Sequence, residues 1–222
     1  FLSDAFAALP AVAVSALMHR GPFMIYNGQE SGEKAEGVMG YSGEDGRTSI
    51  FDYTHMPQHQ QWYNAGKCDG ENLTETQQKL RRFYQLILRL RLSSEAFSKG
   101  YFYDLMWANP WYTNFDPRYV YAFLRYHKEE CYLILVNFNR HESRKTCINI
   151  PDDARELAKI YPGKYRKCWI AENITEDSDK IPFDPERVAS EGIWIHLEPS
   201  QTLIYKLQPI PKSYDNPNDE TC

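Results

Sequence analysis

Two carboxylates held roughly 5 to 10 Å apart can share the acid and base roles at an acetal carbon. The stretch from Glu30 to Asp52 offers Glu30, Glu33, Glu36, Glu44, Asp45 and Asp52. Nothing in their spacing fixes a pair, and the simpler reading is a set of solvated loop charges, with Glu30 hydrogen-bonded to groups nearby. Gly40 to Thr48 has the glycines of a phosphate loop, but their spacing is one residue too long and Arg47 stands where lysine belongs. His55 and His59 are four apart, as two metal ligands on one helix face would be, yet Pro57 lies between them and no glutamate completes the motif. No metal site is expected. Asn72-Leu73-Thr74 and Asn173-Ile174-Thr175 match the glycosylation pattern, which is too short to decide a compartment. The five cysteines, Cys68, Cys131, Cys147, Cys168 and Cys222, are odd in number and without CxxC pairs. They point to buried thiols rather than to a disulfide framework or a zinc ribbon.

These groups must be positioned by a globular scaffold, and 222 residues with 42% apolar and 14% aromatic content suffice for one large or two small domains. A net charge of −5 and a pI near 5.7, with no concentrated basic stretch, remove nucleic acid and anionic membranes from the expected partners. No apolar run approaches the roughly 18 to 20 residues of a membrane span, the best candidate being the short Ala11 to Met18. The chain opens in FLSDAFAALP, with no initiator methionine or leader, which suggests a fragment or processed product and leaves localisation open.

Pro10 suits a first helical turn, so a helix is expected from Pro10 to His19, closed by Gly21-Pro22. Phe23 to Tyr26 is a continuous apolar run and reads as a strand buried on both faces. A polar, glycine-rich loop of roughly forty residues, Glu30 to Gly70, follows, long enough to suggest a functional role. Thr74 to Gln77 is a capping box, and Leu80, Phe83, Tyr84, Ile87 and Leu88 then form one apolar helical stripe ending near Ser94 to Gly100. Strands are expected at Val120–Tyr126, Cys131–Phe138, Thr146–Ile150, Ile193–Leu197 and Thr202–Leu207, the pattern of an antiparallel sandwich.

The run Gly21-Pro22-Phe23-Met24-Ile25-Tyr26-Asn27-Gly28-Gln29-Glu30 resembles the eighth-strand signature G-x-P-x-x-x-Y-x-G-x-E of α-amylase-type glycoside hydrolases, with one residue fewer after the first glycine. Asp45 to Tyr53, DGRTSIFDY, is similar to the loop that follows that strand. The resemblance implies an α+β fold: a partial (β/α)8 barrel remnant of helix, strand, long loop and helix over residues 1–99 and an antiparallel β-sandwich over 100–208. The Pro/Asn/Asp-rich composition of 209–222 reads as an extended or disordered tail. The resemblance also implies an enzyme acting on α-glucans such as starch and maltooligosaccharides. The family's nucleophile, acid/base and third carboxylate belong to barrel strands four, five and seven, so no catalytic residue is expected in this chain. No cofactor is expected in it either, and calcium is left open for a longer parent.

Residues after a barrel strand line the active face, so Tyr41, Arg47, Phe51, Tyr53 and Trp62 are the implied α-glucan contacts, with Asn27, Gln29 and Glu30 shaping the rim. Each aromatic has a competing role in packing its loop. Trp107, Trp111, Tyr112, Tyr119 and Tyr121 offer a secondary glycan surface or, as the preferred reading, core. Trp169 and Trp194 read as packing. A barrel strand without neighbours must satisfy its backbone elsewhere, so Phe23 to Tyr26 is expected to rearrange, to join the sandwich sheet, or to pair with a second copy in a homodimer. A free-standing carbohydrate-binding or structural module is the alternative.

Overall fold

The computed structural model describes residues 4–33, 56–162, 168–175 and 179–210, with only the backbone of Tyr112. They fall into two units, Phe1–Ala8 with Pro22–Arg89, and Leu9–Gly21 with Leu90–Cys222.

Helix α3 (Glu75–Ser93), which belongs to the first unit as far as Arg89, starts where its first free N–H groups find partners. Thr74 N–H donates to Gln77 Oε1 at 2.9 Å and Gln77 N–H to Thr74 Oγ1 at 3.3 Å, the reciprocal box written in the sequence. Leu80, Tyr84 and Ile87 of its stripe are buried, and Phe83 and Leu88 half-buried. The expected doubly buried strand at Phe23 to Tyr26 does not form. Residues 22–26 are irregular, Met24 is 89% and Tyr26 46% exposed, and neither sheet of the protein includes them. Joining the sandwich sheet is therefore incorrect as well. No strand lies in this unit among the described residues to pair with the run, which leaves Met24 and Tyr26 in solvent and Phe23 and Ile25 half-buried. The expected loop of residues 30–70 also needs correction, because helix α2 (Pro57–Tyr63) interrupts it, with Pro57 in the first turn. The remainder, residues 34–55, lies outside the described residues.

In the second unit, α1 (Leu9–Leu17) and α4 (Glu95–Ser98) accompany eight strands: β1 (Tyr101–Asp104), β2 (Val120–His127), β3 (Glu130–Asn137), β4 (Arg144–Ile148), β5 (Trp169–Asn173), β6 (Lys180–Phe183), β7 (Ile193–Leu197) and β8 (Thr202–Pro209). A short helix α5 (Asp152–Leu157) follows β4. Six strands form an antiparallel sheet in the order β1-β2-β3-β8-β5-β6, and β4 pairs with β7. One core joins the two sheets: Ala122, Leu124, Leu133, Leu135, Leu203 and Leu207 from the larger meet Ile148, Ile193, Ile195 and Leu197 from the smaller. The opposite face of the large sheet is covered by α1 and α4, which contact β2, β3 and β8. Phe97 of α4, for example, lies 4.9 Å from the Tyr132 ring. Hence β3 is buried over Cys131 to Asn137, on both faces. The five expected strands are present, while β1, β5 and β6 went unread.

Cys131 and Cys147 are buried thiols as expected, but Cys68 is exposed and Cys168 is disulfide-bonded, which corrects the reading for both. An odd count of unpatterned cysteines carries no information about which two meet in space.

Burial pushes the Cys131 and Cys147 thiols above the ordinary value of 9.0, and pushes Tyr121 up to about 12. The fold keeps these groups protonated while the unfolded chain ionises from pH 9 upward, so the unfolded state binds fewer protons there and stability falls with rising pH. The urea midpoint is expected to drop continuously between about pH 9 and 11. Cys131→Ala should flatten the first part of that drop, and a midpoint constant to pH 11 would contradict the assignment.

Candidate functional site

Asn27-Gly28-Gln29-Glu30 forms a turn that only glycine can make at its second position. Gly28 has φ +81°, and a Cβ there would sit 2.6 Å from Glu33 Cβ and 2.8 Å from Met56 Cε. The turn closes on itself, with Gln29 N–H donating to Tyr26 O at 2.9 Å and Tyr26 N–H to Gln29 Oε1 at 3.1 Å. Asn27 Nδ2 reaches Met56 Sδ at 3.3 Å. Glu30 pairs with Arg81 at 3.6 Å, and the Arg81 guanidinium lies 4.6 Å from the Trp62 ring centroid, a cation–π contact. His59 packs 5.5 Å from the same ring. Glu33 Oε2 accepts the N–H groups of Gln58 and His59, each at 3.0 Å, and so closes the start of α2. Its pKa is nevertheless raised, because burial outweighs those two bonds and the nearby His59. Between the turn and α3 lies a cleft of about 330 Å³ lined by Ile25, Tyr26, Asn27, Glu30, Arg81 and Tyr84 among others. Burial raises the Tyr84 hydroxyl to about 12, so it is a neutral hydrogen-bonding group that meets Gln29.

Chemically, this is a closed arrangement. Glu30 is held by Arg81 and Glu33 by a helix start, so neither is poised as a free acid or base. Among the described residues no group of three or more His, Cys, Asp or Glu side chains is placed to hold a metal ion, and no helix is long and apolar enough to cross a membrane.

A larger cleft, about 790 Å³, lies in the second unit and is lined by Trp111, Asn114, Asp116, Arg118, Lys145 and Trp194 together with Phe115, Pro117, Arg144 and Thr146. Asn114, at φ 58°, aims its carbonyl at β4 and accepts Cys147 N–H at 3.2 Å and Thr146 Oγ1 at 3.1 Å. Phe115, 2% exposed, anchors the next residue in the core. The Trp111–Arg118 segment is thereby clamped to the strand that carries Arg144 and Lys145. Asp116 accepts Arg118 Nε at 2.9 Å and Nη2 at 3.0 Å, and these bonds hold its carboxyl below the usual range.

No protein-family model matches the sequence, and no curated protein is significantly similar to it. Solved structures do match. An α-amylase from Geobacillus thermoleovorans complexed with acarbose superposes with a TM-score of 0.55 at 12% identity, over 94% of this chain and 34% of that one. A protein called AmyP, complexed with maltose, gives 0.56 at 14% identity over 91% and 34%. A maltogenic α-amylase from Thermotoga neapolitana gives 0.54 at 15% over 93% and 37%. The fold is that of the C-terminal part of an α-amylase. The chain spans about a third of the length of these α-amylase structures, and at such identity the likeness concerns the fold alone.

Within this α-amylase-like fold, Tyr41, Arg47, Phe51 and Tyr53 lie outside the described residues. Asn27, Gln29, Glu30 and Trp62 are brought together around α2 and α3, but their bonds run to one another and to Met56, Arg81 and Tyr84. Arg81 and Tyr84, unread from the sequence, do as much to define the site as the residues that were named. Their helical stripe was visible, but their partners were not. The preferred reading of Trp107 and Trp111 as core is incorrect, for they are 63% and 76% exposed, and Trp194, expected to pack, is 47% exposed. Trp169, 7% exposed, does pack, with its Nε1–H donating to Tyr161 O at 2.7 Å. Tyr119 is 37% exposed and Tyr121 half-buried.

Proposed function

We propose that this chain is the C-terminal region of an α-amylase-type glycoside hydrolase acting on α-linked glucan. On this reading it contributes the end of the barrel and the β-sandwich, but neither nucleophile nor acid. What supports the reading is a conjunction: the GPFMIYNGQE segment occurs in a chain whose fold follows α-amylases over nine-tenths of its length. The reaction assigned to the whole enzyme is the retaining one, in which one carboxylate forms a glycosyl intermediate while another protonates the leaving oxygen. The turn at Asn27 to Glu30 then serves as a rigid rim element. The same reading accounts for the irregular Phe23 to Tyr26 run with its exposed Met24 and Tyr26, as the segment that forms a strand when the neighbouring barrel strands are beside it.

The test compares two proteins. The 222-residue chain should release no reducing sugar from soluble starch. The product of the complete reading frame should release it, and should lose that activity when a carboxylate of the upstream barrel strands is replaced by its amide. A complete reading frame without those strands, or a product inert on every α-glucan, would remove the proposal.

A further inference from the structure

We propose that the cleft between the Trp111–Arg118 segment and the β4–β7 pair is a second glycan-binding site, one that carries no catalytic group. The observation that carries it is the exposure of two indoles on one groove. Trp111 is 76% and Trp194 47% exposed, and both line a cleft of about 790 Å³, largely apolar, whose walls also carry Asn114, Asp116, Arg118 and Arg144. Apolar side chains exposed singly are ordinary, but two indoles gathered on one groove mark a candidate interaction surface. Strand periodicity explains why Trp194 points outward. In β7, Ile193, Ile195 and Leu197 enter the core, so Trp194 and His196 fall on the outer face, opposite Cys147 and Lys145 of β4.

The cleft is built before any ligand arrives. The Asn114 carbonyl pins its loop to β4, Phe115 is sunk in the core, and Asp116 is gripped bidentately by Arg118. A pyranose suits such a wall, since its C–H faces stack on an indole while its ring of hydroxyls meets carboxylate, guanidinium and amide groups. An apolar peptide segment would desolvate the Asp116, Arg118 and Arg144 charges and offer their remaining lone pairs and N–H groups few partners. A polyanion is disfavoured by the charge balance. Asp116 offsets Arg118, Glu142 lies 2.5 Å from Arg144, and Lys145 Nζ is drawn 5.3 Å over the Trp194 ring. Arg144 Nε is buried behind the wall of the cleft, 3.7 Å from Asp116, and adds its charge to the pair that faces the groove.

The site stands on this geometry. Only its preference for α-linked glucose rests on the proposed function. Isothermal titration of the whole chain with maltoheptaose, cellohexaose and chondroitin sulfate tests both, with circular dichroism melts of each variant. Maltoheptaose should bind saturably, Trp111→Ala and Trp194→Ala should each weaken it roughly tenfold or more, and Trp194→Phe should stay within about threefold. The melting temperatures should not move, because both rings are exposed. Saturable binding of cellohexaose in place of maltoheptaose, with the same tryptophan dependence, would uphold the site and count against the α-glucan reading. Absence of glycan binding, binding indifferent to both tryptophans, or binding of the sulfated chain that added salt abolishes would overturn the proposal.

Discussion

Replacing Arg125 by alanine is expected to lower the unfolding free energy by about 3–5 kcal/mol, the largest effect of any single change considered for this chain. Arg125, on β2, is 1% exposed, and its guanidinium is surrounded by carbonyls. Nε and Nη2 donate to Ala96 O at 3.1 and 2.8 Å, Nη2 also to Phe97 O at 3.1 Å and Gly100 O at 3.2 Å, and Nη1 to Met18 O at 2.9 Å. These are the C-terminal ends of α1 and α4, where helix carbonyls lack intrahelical partners and the helix dipole favours a cation. Arg91 does the same for α1 through Ala16, His19 and Gly21, and Arg20 donates to Lys99 O at 3.3 Å. Burial first, then the Arg20 and Arg91 charges, push the Arg125 pKa down to about 10, which still leaves it charged at neutral pH. Alanine would strand several buried acceptors and open a cavity where the fork had been. Lysine should recover little, because a point charge cannot reach carbonyls on both helices at once. Urea denaturation followed by tryptophan fluorescence reads the loss, and a change under about 1 kcal/mol would show that water replaces the guanidinium.

The second large effect is expected at Gly100, where alanine should cost about 3 kcal/mol. Its backbone conformation is open to any residue, so the reason is space. A Cβ would lie 2.3 Å from Ala96 O and 2.5 Å from Tyr126 O, both backbone atoms held by α4 and β2. The clash can be relieved only by separating α4 from β2. Gly100 O is also an acceptor of Arg125, so the two changes disturb one knot. The double variant should therefore lose clearly less than the sum of the singles. Additivity within about 0.5 kcal/mol would place Gly100 and Arg125 in independent structures.

How the sequence resolves into this fold depends on which signals are local. The α3 start was legible because a capping box is completed by residues three apart, and Thr74 and Gln77 satisfy each other whatever lies around them. The strand β7 was legible because the alternation of Ile193, Ile195 and Leu197 reports one buried face. A continuous apolar run is weaker evidence, because it says that both faces want burial and nothing about what is there to bury them. FMIY and CYLILV read alike in that respect. CYLILV lies between β2 and β8, with the sheet core on one side and α1 and α4 on the other, and is buried throughout. FMIY has no strand beside it among the described residues, and Met24 stands 89% exposed.

The sequence by itself therefore determined α1, the start and stripe of α3, and five strands of the second unit. Each is set by residues a few positions apart. The tertiary structure alone decided that Glu30 meets Arg81 and Trp62, that Glu33 closes α2, that Cys168 is oxidised, and that Trp111 and Trp194 share a cleft. Those outcomes join residues tens of positions apart, and they depend on which surfaces the sheets and helices have already covered. A tryptophan in an apolar run is core or platform according to the face its strand leaves bare, and for Trp194 that face is open.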